Sequence, residues 1–134
     1  MTGNEFAADT SAVIALERND PRVIRMFNEA RAIHLPFPVR AEMLVGAYRS
    51  SRIEENLRRV EEIFTRCRAI PSDDAVERSY ATITVSLRRK GRPIPANDIW
   101  IAACAIAKGL PSLSLDGHFM EIEGLRSISI ESSA

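Results

Sequence analysis

Little in this sequence favours a sulfur-held metal, a disulfide framework or a membrane. Among 134 residues there are only two cysteines and two histidines. Cys67 and Cys104 lie far apart and show neither C-x-x-C nor metal-finger spacing, which places the chain in the reducing cytosol. Net charge is missing as well. Eighteen Lys and Arg balance eighteen Asp and Glu, so no global field draws the chain toward nucleic acid or lipid, and any polyanion must be held locally. No stretch approaches about eighteen uninterrupted apolar residues, and no basic segment followed by an apolar run opens the chain, so nothing indicates membrane insertion or secretion. The absence of G-x-G-x-x-G and of a P-loop removes nucleotide cofactors.

What is present suffices for one core: 46% of the residues are hydrophobic, and the length suits a single domain over residues 1–134. "EFAA", residues 5–8, reads as a short strand running into the helix "SAVIALER" after Asp9. Asp20 and Pro21 mark the start of "DPRVIRMFNEA" as cap and first helical position. A strand "AIHLPF", interrupted by Pro36, precedes a helix from about Val39 carrying "RAEMLVGAYRSS". The next helix, "RIEENLRRVEEIFTRCR", puts Ile53, Leu57, Val60 and Phe64 on one stripe, and the two form a helical hairpin. "AIPSD" supplies a further strand, and "DDAVERSYATITVSLRRKG" a helix with Val76, Tyr80, Ile83 and Leu87 on one face and Gly91 as terminator. After the helix "NDIWIAACAIAKG", "LPSLSLD" and "LRSISI" read as two last strands. Short strands alternating with helices predict an α/β fold whose mainly parallel sheet is covered on both faces.

Four acids stand at informative places on that skeleton. Asp9 ends the first strand and Asp116 ends "SLSLD", while Glu42 and Asp98 are each expected in the first turn of a helix. In a parallel sheet, strand ends and the helix starts that follow them gather at one edge, where such folds bind ligands. Four carboxylates in one cleft repel, at roughly 1 to 4 kcal/mol per pair at about 4 Å. A divalent cation resolves that conflict. Oxygen-only ligands suit Mg²⁺ or Mn²⁺ and argue against zinc, and such ions activate water for phosphodiester hydrolysis. Each acid also has a plainer reading: Asp98 as a helix cap, Asp9 and Asp116 as turn formers, Glu42 as a solvated helix residue.

Local sequence separates the readings. "AADTSAVIAL", "AEMLVGA", "RKGRPIPANDIWIAA" and "LSLDGHF" closely resemble the motifs of the PIN-domain ribonucleases, particularly the short VapC-type toxins of bacterial toxin–antitoxin pairs. The likeness runs nearly end to end, and "ND-x-W-I-A-A" with its upstream "G-x-P-I" is the most specific part. The resemblance implies a three-layer α/β/α PIN-like fold and a Mg²⁺- or Mn²⁺-dependent endoribonuclease. It assigns Asp9, Glu42, Asp98 and Asp116 as metal-binding catalytic acids and Ser11 as a polar residue orienting the site. It further implies an RNA substrate, a cognate antitoxin, a homodimer and a cytoplasmic location, with no membrane partner. Met43 replaces the usual leucine, Ser114 stands where threonine is common, and "FPVRAE" lacks the small hydroxyl residues often found ahead of the glutamate. These departures touch the surroundings of the acids and remove none of them. The competing readings are a non-catalytic module of the same fold, a housekeeping nuclease without an antitoxin, and a receiver-like or phosphoryl-transfer domain; "DTS" lacks the second aspartate of a D-x-D motif.

Asp98 is then both ligand and helix cap. Ala102, Ala103, Ala105 and Ala107 permit close packing of its helix, and Gly46 is expected to admit a neighbouring backbone. Asn97, beside Asp98, belongs with Ser11 and Ser114 among the residues around the acids or touching substrate. His118, near Asp116, either reaches substrate or is structural, and His34 has no functional case. "RRKGR", residues 88–92, either contacts RNA phosphates or complements a helix C-terminus. Trp100 and Phe119 read as core or dimer-contact residues rather than base platforms. The stripe from Ile53 to Phe64 is core or one wall of a groove for an antitoxin helix.

Overall fold

Apolar residues alternate too quickly with turns here to make long strands, and the sheet is assembled from short ones. The structure is a computed structural model that describes residues 4–115, 122–128 and 130. β1 (Glu5–Ala8) leads to α1 (Thr10–Glu17) and α2 (Pro21–Glu29), and β2 (Ala32–Pro36) to α3 (Phe37–Tyr48) and α4 (Ile53–Arg66). β3 (Arg68–Ile70) is followed by α5 (Asp74–Arg89) and α6 (Ala96–Ala107), then by β4 (Ser112–Leu113) and β5 (Ser127–Ile128).

All pairings are parallel, in the order β3-β2-β1-β4-β5. From β1 the chain moves outward through β2 to β3, then returns by α5 and α6 to β4 on the other side of β1. Because parallel crossovers are right-handed, the outward and return journeys lie on opposite faces of the sheet. α1 to α4 form one layer, α5 and α6 the other. Phe6, Ala7 and Ala8 of β1, Leu35 of β2 and Leu113 of β4 are buried between them. Phe6 meets Phe27 edge to face, with centroids 5.6 Å apart. A strand covered on both faces has no need of a polar side, which is why β1 runs through Phe6, Ala7 and Ala8 without alternation.

Helix boundaries follow the caps. Asp9, Asp20 and Asp73 each accept a backbone hydrogen bond at the start of α1, α2 and α5. Gly91, at φ +66°, takes the left-handed conformation that ends α5. α3 starts two residues earlier than Val39, because Pro36 ends β2 in an extended conformation and Pro38 fits the first turn of a helix. Its proline is tolerated at the last position of β2, paired with Ile70. α6 packs Ile99, Ile101, Ala102, Ala103, Cys104 and Ala105 fully inside, so the small side chains bring the helix close to β1 and β2, the strands it contacts. Gly46 corrects its expectation: it is exposed, and a side chain there would meet nothing within 4 Å.

Candidate active site

The order in which strands are added reverses between β1 and β4, and at such a switch point the loops leaving neighbouring strands part to open a crevice. Asp9 leaves β1 at that point, and Ser114 leaves β4 beside it. The Asp9 amide donates to the Leu113 carbonyl at 3.1 Å, which holds the two exits together.

Asp9 is 2% exposed, an unusual state for a carboxylate and one that requires hydrogen-bond compensation. Its Oδ1 accepts from the Ala12 amide at 2.9 Å and from Ser11 Oγ at 2.7 Å, while Ser114 Oγ donates to Oδ2. Ser11 Oγ in turn accepts from the Leu115 amide at 2.8 Å and lies 3.4 Å from Ser114 Oγ. The two serines therefore clamp one carboxylate from two sides, Ser11 from the start of α1 and Ser114 from the exit of β4. Ser11 lies in the first turn of α1, whose dipole also favours a negative charge at this end.

Glu42 is the sixth residue of α3, not part of its first turn as expected. The early start at Phe37 moves it one turn down the helix. It is nonetheless tied to the site, because Thr10, the residue after Asp9, donates from Oγ1 to Glu42 Oε1 at 3.1 Å. Sequence reasoning overlooked Thr10. A hydroxyl between an acid and a serine carries no signal of a partner 32 positions away.

Asp98 is the third residue of α6, and the topology sets that helix start at the same sheet edge, since α6 runs back toward the beginning of β4. It is not the cap. Pro95 holds the N-cap position, no side chain caps the helix, and a proline has no amide proton for a carboxylate three residues on to accept. Asn97 is exposed at the second position. Asp116, His118 and Phe119 lie outside the described residues. Among the described residues no three acidic, histidine or cysteine side chains form a metal-sized cluster; the donors gathered around Asp9 are all oxygens, the chemistry a hard divalent cation prefers.

The remaining expectations divide. Trp100 stacks on Tyr80 at 3.9 Å and meets Phe37 edge to face at 5.5 Å, an internal aromatic cluster between α3, α5 and α6. His34 pairs with Glu5 across β1 and β2 at 2.9 Å. In the basic segment Lys90 pairs with Glu123 at 2.8 Å. On α4, Val60 is buried, Leu57 and Phe64 pack partly against the core, and Ile53 is exposed. Thr10 and Glu42 also stand at one end of a groove of about 660 Å³ between α1, α3 and α4, which Ile14, Val45 and Val60 line with apolar surface.

Comparison with known proteins agrees with the fold. The PIN domain family profile matches residues 7–125. Ribonuclease VapC5 of Mycobacterium tuberculosis is 30% identical over 92 residues, covering 67% of this chain and 68% of the relative. Ribonuclease VapC4 of the same organism is 28% identical over 134 residues, covering 97% of this chain and all of the relative. A DNA-bound VapBC from Salmonella typhimurium superposes with a TM-score of 0.87 at 25% identity, over 92% of this chain and 96% of that one.

Proposed function

We infer that this chain, which belongs to the PIN-domain family, is the endoribonuclease toxin of a toxin–antitoxin pair. The observation that carries the catalytic part is the buried Asp9 carboxylate, clamped by Ser11 and Ser114 at the switch point of the sheet. Asp9, Glu42, Asp98 and Asp116 are its metal-binding acids in this reading, and the whole chain is one domain. The donor chemistry fits Mg²⁺ or Mn²⁺, which supplies an activated water and stabilises the leaving oxygen when bound. The chain's own residues do the positioning. Ser11 and Ser114 fix both oxygens of Asp9, and Thr10 holds one oxygen of Glu42, so neither carboxylate needs to reorganise when substrate arrives.

The antitoxin partner fits the groove between α1, α3 and α4. Its apolar walls suit an amphipathic segment, and its end at Thr10 and Glu42 means that an occupant covers the approach to the acids. In this reading the stripe on α4 serves both ends: Val60 is a core residue that also floors the groove, and Leu57 and Phe64 pack partly against the core.

The test is cleavage by partner-free protein. A structured RNA should be cut with Mn²⁺ or Mg²⁺ and spared when EDTA is added, while duplex DNA stays intact. Asp9→Asn should abolish cutting and also the rise in melting temperature that Mn²⁺ confers by binding the native state. Cutting that survives EDTA, or a rise in melting temperature that survives Asp9→Asn, would place the chemistry elsewhere.

A further inference from the structure

α3 contains a glycine that the chain itself does not need. Gly46 is the tenth of the twelve residues of that helix, between the exposed Val45 and the buried Ala47. It does not adopt a positive φ, and the helix continues past it to its cap at Arg49, so it is not a terminator. A Cβ there would meet nothing within 4 Å, so no neighbouring segment requires the missing side chain. Glycine within a helix is nonetheless unfavourable, because it gives up more backbone freedom on folding than alanine does. A residue that weakens its own helix and serves no contact within the chain has its reason outside the chain.

The position of Gly46 identifies that reason. It lines the groove between α1, α3 and α4, on the same stripe of α3 as Glu42 and Arg49. Thr10 and Glu42 tie α1 to α3 at one end, and both helices leave the same edge of a parallel sheet, so they run side by side. Counted from that bond, Ile14 and Gly46 each lie four residues further along. The bare backbone at Gly46 is thus flanked by Ile14 and Val45, two apolar side chains that the chain leaves exposed.

On the reading of this groove as the antitoxin's seat, on which the inference rests, we propose that a helix of the antitoxin crosses α3 at Gly46. Its backbone lies close against the glycine and its apolar side chains against Ile14 and Val45. Helix axes pack about 8 to 10 Å apart according to the side chains at the contact, and glycine permits the lower end of that range. At that separation the partner's side chains reach the floor formed by Val13 and Val60, both buried in the chain alone. A methyl group on Gly46 would lift them off it. RNA is a poorer occupant. Glu42 and Glu17 would repel phosphates, and Arg49 is the only base among the described residues that line the groove. The same charges suit a partner helix whose polar edge carries lysine or arginine.

Gly46→Ala separates this role from a structural one, because the two predict opposite signs. In partner-free protein the added methyl points into open space and improves the helix, so the melting temperature should rise by a few degrees. Affinity for the immobilised cognate antitoxin should nevertheless fall at least about tenfold, chiefly through faster dissociation. Gly46→Leu, with its longer side chain, should weaken it at least about a hundredfold. A lower melting temperature in Gly46→Ala would mean that the chain itself needs the glycine, and an unchanged antitoxin affinity would mean that no backbone comes close to it; each overturns the proposal. So does a loss confined to RNA cleavage or to self-association. Val45→Glu keeps this failure apart from that of the groove. If it weakens the antitoxin while Gly46→Ala does not, the groove keeps its partner and only the crossing at Gly46 is wrong; if neither variant does, the assignment of the groove fails as well. Cleavage by partner-free protein tests the nuclease independently of both.

Discussion

Asp98 sits behind a proline with no amide proton to give, and that fact separates two roles which the sequence left fused. A carboxylate in the first turn of α6 complements the helix dipole, a term worth about 0.3–1 kcal/mol, but it does not cap the helix. Asp98→Asn should therefore change the metal-free denaturant midpoint only slightly, with loss of the dipole term offset by relief of repulsion from the other acids. Cleavage should fall by orders of magnitude. Asp98→Ala should lose cleavage to the same extent, and it gives up no cap. Wild-type cleavage by the asparagine variant would remove Asp98 from the catalytic set; an alanine variant clearly less stable than the asparagine one would mean that the side chain caps after all. At this scale the sequence marked the acids well, since charged residues at strand ends and helix starts are conspicuous. The resemblance also named Ser11 and Ser114 among the residues around them, and both donate to Asp9; the bonds themselves were not legible, since no local pattern encodes one that reaches from Ser114 across 105 positions.

Elements were most legible where a side chain announces their ends. Asp20–Pro21 and Gly91 mark the start of α2 and the end of α5, because capping is local chemistry. β4 and β5 shrank to two residues each, since strand length is set by neighbours in the sheet rather than by the apolar run itself. Asp73 carries a testable consequence. Its carboxylate accepts from Lys108 Nζ at 2.7 Å and from the Val76 amide at 2.9 Å, and these bonds, the lysine first, hold it below the usual carboxylate range. Asp20, held by the Arg22 guanidinium, falls to about 2. A carboxyl with a depressed folded-state pKa stabilises the protein above its unfolded value and loses that contribution as pH falls through the folded one. Stability should thus fall between about pH 4 and pH 2. Asp73→Asn keeps a capping oxygen but gives up the charge, so it should flatten part of that slope while lowering the melting temperature at pH 7 by a few degrees at most. Thermal melts across this range check both. An unchanged acid slope would show that the Lys108 pair contributes nothing.

On the scale of the whole molecule the order of strands does what no single element does. The return of the chain from β3 to β4 puts Asp9 and Ser114 side by side, and it leaves α1, α3 and α4 to frame a groove on the opposite layer from α5 and α6. The parallel sheet and its two helical layers were legible, because strands alternating with helices permit few arrangements. The groove was not, because its walls come from three helices and only the α4 stripe hinted at it. Ile14, Val45, Tyr48 and Ile53, four large apolar side chains exposed on the described surface, all belong to the helices that frame it. Exposed apolar surface concentrated in this way marks an interface. Val45 is 53% exposed and lies outside the cluster around Asp9, so Val45→Glu should leave folding and RNA cleavage intact. In the complex it would bury an unpaired charge against the antitoxin, and it should weaken that partner at least about a hundredfold, a loss of about 2.7 kcal/mol. Calorimetric titration with the cognate antitoxin measures the first effect, and residual RNA cleavage at stoichiometric antitoxin the second. A Val45→Glu toxin that binds and is silenced like the wild type would show that the antitoxin takes another surface, and the groove would lose its assignment while the nuclease kept its own.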